Sequence, residues 1–208
     1  MMNITPFVKQ LLIINIIFFI GTNYIGKEFA YQMFALFSFE SPNFKWYQLL
    51  THMFMHGNLP HIFFNMYALY SFGSTLEHFW GGKKFLFFYI SCGLGAALVN
   101  NLVNQYFLHD VASVCLGASG AIYGLLVAFG FMFPDAKLGL MFIPVPIKAK
   151  YFIMGLITID LFLGLKGQSI FGTGGTGIAH FAHIGGALTG FIMMWFWKKN
   201  QFNDRRWN

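Results

Sequence analysis

The chain has 208 residues, of which 57% are hydrophobic and only 10% charged. A soluble domain is nearer one quarter charged, so this chain lacks the polar side chains to coat itself, and lipid is its expected solvent. The net charge of +6 could suggest a nucleic-acid partner, but the basic residues cluster beside the ends of apolar segments; this excludes nucleic acid and points to one integral membrane domain over residues 1–208.

A helix needs about 20 residues to cross the hydrocarbon core. Six apolar segments approach that length, at about 7–24, 59–76, 85–102, 119–133, 149–165 and 179–197. The expected fold class is therefore an all-α membrane protein, a bundle of six transmembrane helices with a long interfacial first loop. The first segment has the length of a signal peptide. No small-residue cleavage site follows it, since the chain continues as Gly21-Thr22-Asn23-Tyr24, and a retained helix is expected.

The first loop, about 25–58, is too apolar to float in water. Its runs Tyr31–Phe37 and Phe44–Leu50 predict short amphipathic helices lying in the outer leaflet interface. The second segment opens with Asn58 as a cap and Pro60 in the first turn. His61 and Asn65 follow four residues apart and share one helix face. They serve either as an interhelical hydrogen bond or as donors aimed at a developing oxyanion. Glu77, at the inner end of this segment, is expected to tie loops or helix ends together. Cys92 in the third segment and Cys115 in the following loop are read as structural, not as a disulfide framework.

The fourth segment opens with Gly117-Ala118-Ser119-Gly120 and is stopped by Pro134-Asp135. It is short and is expected to start below the membrane surface. Asp160 is an acid well inside the fifth segment, where it is either a third catalytic member or a lining of a water-filled cavity. Nothing in the sequence sets it beside His183, and a structural or cavity-lining role is expected. The loop from Lys166 to Ile178 holds five glycines and is either a mobile cover or a linker. The sixth segment carries Ala182-His183-Ile184-Gly185-Gly186 and continues to Gly190. His183 is open to three roles: packing residue, metal ligand or general base.

Two small-residue faces, Gly120 with Gly124 and Gly186 with Gly190, let helix backbones approach closely. Such an approach would bring Ser119 and His183 within hydrogen-bonding reach, as a serine nucleophile requires. The pairs His52/His56 and His180/His183 raise the question of a metal. No glutamate completes a zinc-protease HExxH pattern and the acidic residues are scattered, so no metal and no cofactor is expected. With the N-terminus inside, Lys9, Lys83, Lys84, Lys137, Lys148, Lys150, Lys198, Lys199, Arg205 and Arg206 fall inside, against Lys27, Lys45 and Lys166 outside. That bias predicts both termini in the cytoplasm, with Ser119, His61 and His183 at similar depth near the outer face.

The string from His56 to Asn65, the Gly117–Gly120 tetrapeptide, and Ala182-His183 with Gly186 and Gly190 together resemble the rhomboid intramembrane serine proteases over nearly the whole chain. Tyr123, four residues after Ser119, also fits the family pattern. The resemblance implies Ser119 as nucleophile and His183 as base in a dyad that needs no aspartate. It implies Tyr123 packed on the His183 ring, and His61, Asn65 and the Ser119 N–H as the oxyanion hole. His56 would brace the first loop. Trp46-Tyr47 stands where many members have Trp-Arg, which puts the packing of that loop in question. The implied substrates are single-span or other transmembrane proteins in contact with membrane lipid, and six spans with no added domain suggest a prokaryotic inner membrane. A catalytically inactive client-binding relative and a transporter are the alternatives; the absence of paired, interrupted half-helices counts against the transporter.

Overall fold

The computed structural model describes residues 3–110, 112–140, 143–166 and 178–201, so the glycines of the 166–178 loop lie outside the described residues. In chain order the elements are α1 (Pro6–Ile25), α2 (Lys27–Phe34), β1 (Leu36–Phe37), α3 (Gln48–Thr51), α4 (Leu59–Ala68), α5 (Ser74–Trp80), α6 (Gly82–Val103), β2 (Val114–Cys115), α7 (Ser119–Met132), β3 (Lys137–Leu140), β4 (Ile143–Lys148), α8 (Ala149–Lys166) and α9 (Ile178–Gln201). The chain is predominantly helical.

Local chemistry explains several boundaries. Asn58 caps α4, its side chain accepting the His61 N–H at 2.8 Å. A wide π-helical turn, Leu69–Gly73, joins α4 to α5, so the second apolar segment runs unbroken to Trp80. Gly81, at φ +77°, then ends it in a conformation that favours glycine. α1 starts at Pro6, and its free N-terminal donors are met by buried Glu77. That carboxylate accepts the Phe7 N–H at 3.0 Å, the Val8 N–H at 2.8 Å and the Thr5 hydroxyl at 2.5 Å. Anions are favoured at helix N-termini. Glu77→Ala is therefore expected to destabilise the protein by about 2–4 kcal/mol, the scale of hydrogen bonds to a charged acceptor lost together. Thermal unfolding in detergent measures this; an unchanged midpoint would remove Glu77 from the anchor.

The first loop contains α2 and α3, with a 3-10 turn at His52–Phe54. Buried Gln48 ties the loop together: its Oε1 accepts the Lys45 N–H at 3.0 Å, and its Nε2 donates to the Gln32 and Asn43 carbonyls at 3.2 Å each. Thr51 donates to the Phe34 carbonyl at 2.8 Å, and Asn101 of α6 accepts the Phe39 N–H at 2.9 Å. The side chain that braces this turn is thus Gln48, one residue beyond Tyr47, where the sequence had placed the family's missing arginine.

Two small antiparallel pairs depart from the all-helical expectation. Leu36 and Phe37 of β1 pair with Cys115 and Val114 of β2, which fastens the first loop beside the start of α7. β3 and β4 form a hairpin in what reads as a loop. Pro144 and Pro146 argue against a central strand, but a two-stranded hairpin has only edges, where proline is tolerated.

Among the described residues, Pro6–Ile25 and the span Gly82–Leu108 are long and apolar enough to cross a membrane, and α7 is apolar but shorter. The surface is more telling than length. α1 exposes Ile13, Ile16, Ile17 and Ile20, α8 exposes Met154, Phe162 and Leu165, and α9 exposes Leu188, Ile192, Trp195 and Phe196. Water-soluble monomers rarely show contiguous apolar patches of that extent. A lipid solvent accounts for them, and the fold is that of an all-α membrane protein.

α6, α7 and α9 make the closest mutual packing. Their seam is lined by glycine. A Cβ added at Gly186 would lie 1.8 Å from the Gly120 carbonyl oxygen, and one at Gly190 would lie 2.8 Å from the Gly124 Cα. At Gly124 it would meet Cys92 Sγ at 2.3 Å, so the buried, unbridged Cys92 packs into that seam. These contacts set the distance between the first turn of α7 and the first turns of α9.

Candidate active site

Ser119 is the first residue of α7, and the first backbone bond of that helix runs from Ile122 N–H to the Ala118 carbonyl. The N–H groups of Ser119, Gly120 and Ala121 are therefore spare donors at the positive end of the helix. Gly117, at φ +120°, turns the chain into α7 while its N–H donates to the His52 carbonyl at 2.9 Å. A Cβ on Gly117 would sit 2.8 Å from His61 Nε2 and 3.6 Å from Ser119 Oγ, which places the His61 ring against the serine turn.

His183 lies on the second turn of α9, opposite Ser119. Its Nε2 and the Ser119 Oγ are 2.7 Å apart. The Tyr123 ring, one turn along α7 from Ser119, stacks on the imidazole at 4.3 Å between centroids and 8° between planes. His61 and Asn65 share one face of α4, which packs against α7. Asn65 Nδ2 donates to the His61 carbonyl at 3.0 Å, which occupies one of its two amide hydrogens. The buried His56 ring meets His61 edge-on at 5.0 Å, so it supports that ring from the loop side. A cavity of about 10 Å³, room for one water, adjoins Ser119 and is lined in part by His52, Ala96, Cys115 and Ala182.

Asp160 takes a place that the sequence does not reveal, beside His183. It is buried on α8 with its Oδ2 2.6 Å from His183 Nδ1, and its Oδ1 contacts His180 Nδ1. The Tyr123 side chain engages the same carboxylate. His180 is the residue that sequence reasoning passed over: its i, i+3 spacing from His183 suggests only a metal pair, whereas here both imidazoles turn toward one acid.

Two histidines and a carboxylate are a ligand set that zinc or iron can use. The spacing favours hydrogen bonds instead. Ligand atoms around a tetrahedral zinc at its usual bond lengths stand roughly 3.3 Å apart, whereas the His183–Asp160 contact is 2.6 Å.

Residues 43–200 match the family model described as Rhomboid domain. The chain is 29% identical over 147 residues to Rhomboid protein 1, mitochondrial, of Saccharomyces cerevisiae, covering 70% of this chain and 40% of that one. It is 31% identical over 155 residues to Rhomboid-like protein 11, chloroplastic, of Arabidopsis thaliana, covering 74% and 53%. It is 32% identical over 147 residues to the human Presenilin-associated rhomboid-like protein, mitochondrial, covering 68% and 35%. The chain thus spans about half or less of the length of these relatives. The family match over most of the chain, with the apolar surface, shows that this membrane protein belongs to the rhomboid family.

Proposed function

We propose that the protein is an intramembrane serine endopeptidase that cuts transmembrane helices of membrane-protein substrates. The 2.7 Å contact between Ser119 Oγ and His183 Nε2 carries this reading. A serine hydroxyl is a weak nucleophile until a base takes its proton, and these two atoms are at transfer distance. In the reading, Ser119 Oγ attacks the scissile carbonyl as its proton passes to His183 Nε2. The oxyanion is received by the Ser119 N–H, His61 and the second amide hydrogen of Asn65, at the positive end of α7. His183 then protonates the leaving amine, Tyr123 holding its ring in plane. Water releases the acyl group from Ser119 by the same steps in reverse order.

The substrate class follows from the solvent. A transmembrane helix has every backbone bond satisfied internally, so its carbonyl is reached only where the helix unwinds. Helix-weakening residues near the cut should favour cleavage. In this reading six segments, α1, α4 with α5, α6, α7, α8 and α9, cross the bilayer. The ten-to-three bias of basic residues supports termini on the inner side of the membrane and a site opening to its outer face.

The test is purified protein in proteoliposomes, assayed against a panel of single-span proteins and treated in parallel with a fluorophosphonate. The expected result is a defined cut within or beside a membrane span, with the label on Ser119 by mass spectrometry. Client binding with neither cleavage nor label would assign the protein to inactive client-binding members instead.

A further inference from the structure

We propose that Asp160 is a positioning residue that sets the tautomer of His183 and extends the serine–histidine pair to a triad, with His180 fixing the carboxylate. The inference rests on the protease reading and goes beyond the dyad that the family resemblance implies.

Lipid is a costly place for an acid. A carboxylate there is expensive unless its oxygens are hydrogen-bonded. Asp160 is 3% exposed, and its two oxygens face two imidazole Nδ1 atoms, Oδ1 toward His180 and Oδ2 toward His183. A carboxylate accepts and does not donate, so each Nδ1 that faces it carries a hydrogen. For His183 that choice decides the other nitrogen. A neutral imidazole with hydrogen on Nδ1 leaves Nε2 bare, and Nε2 is the atom 2.7 Å from Ser119 Oγ. Asp160 therefore selects the tautomer that can accept the serine proton.

The groups facing His183 come from every neighbouring helix: Ser119 and Tyr123 from α7, Asp160 from α8, His180 from α9 itself and His61 from α4. Among the described residues, Asp160 is the one carboxylate in this set. When Nε2 takes the proton from Ser119, the ring becomes an imidazolium with Asp160 as its counter-ion. The proton then leaves with the amine, and the aspartate stays ionised throughout. His180 holds the opposite oxygen and keeps the carboxylate from turning away from His183.

Asp160→Asn tests this. An amide has one oxygen and one NH₂, so one of the two imidazoles must face a donor. The expected effect is a fall in kcat of at least about 100-fold, and at most the roughly 10,000-fold lost when a triad aspartate becomes asparagine, with KM held within about threefold. A merely structural role would lower the unfolding midpoint without that split. His180→Ala should give a smaller loss of kcat in the same direction. The wild-type protein supplies a readout that needs no folding-competent variant. With ¹⁵N-labelled histidine, His183 at neutral pH should be protonated at Nδ1 and bare at Nε2. Wild-type kcat in Asp160→Asn, or a His183 protonated at Nε2 in the wild type, would overturn the proposal. If instead no cleavage depends on Ser119, it is the protease reading that fails, and the tautomer still reports whether Asp160 sets the ring.

Discussion

Ser119→Ala is expected to lower kcat for cleavage of a transmembrane substrate by about 10⁵- to 10⁶-fold, and His183→Ala to do nearly the same. The two losses should not add. Once the hydroxyl is gone the base has no proton to take, and once the base is gone the hydroxyl stays protonated, so the double variant should cleave at the rate of either single one. The oxyanion donors remain in each variant, which leaves a residual rate above that of water alone. Ser119→Ala removes only a hydroxyl, whereas His183→Ala also removes the ring stacked on Tyr123; the serine variant should therefore unfold near the wild-type temperature and still bind substrate with a similar KM. Single-turnover cleavage in proteoliposomes measures the effect. Ser119→Ala cutting within tenfold of wild type would mean that another group does the chemistry.

The second large effect is expected at a glycine that carries no reacting group. Gly186→Ala would place a Cβ 1.8 Å from the Gly120 carbonyl oxygen, a contact that no side-chain rotation relieves because both partners are backbone. α7 and α9 must move apart. Overpacking of this kind costs about 1–3 kcal/mol, occasionally more. The larger consequence is catalytic: Gly120 adjoins Ser119 and Gly186 lies one turn beyond His183, so the strain acts directly on the 2.7 Å contact. A displacement of about 1 Å at reacting groups can cost 100-fold in rate, and a loss of at least that size is expected in kcat. Gly155→Ala on α8 is the control. Nothing lies within 4 Å of its Cβ position, so activity should be unchanged. Gly186→Ala active at the wild-type rate would show that the seam does not set the serine–histidine distance.

The sequence was most legible where one residue type has one physical use. Asn58 before Pro60 marks a helix start, and the cap is present. Glycines four apart on two apolar segments announce a close crossing, and Gly120, Gly124, Gly186 and Gly190 make it. Ser119 and His183 follow from that crossing, since each adjoins a glycine face. Asp160 was not legible in the same way. It is separated from His183 by 23 positions and a helix boundary, and the rotation of α8 about its own axis leaves no periodic mark on so uniformly apolar a segment. The short pairing of β1 with β2 is invisible because two residues cannot display an alternation, and β4 is disguised by its two prolines. Gln48 is illegible for a different reason: a neutral side chain beside Tyr47 carries no sign in the sequence that it makes three loop hydrogen bonds.

The carboxylate shared by two imidazoles also bears on how the chain is made. The ribosome releases α8 before α9, so Asp160 emerges while both of its partners are still unsynthesised. A solitary aspartate at the centre of an inserting helix carries a penalty of about 2.5–3.5 kcal/mol, which His180 and His183 relieve only once α9 arrives. α8 and α9 are thus suited to leave the translocation channel together, so that the aspartate meets its two imidazoles as the helices enter the lipid.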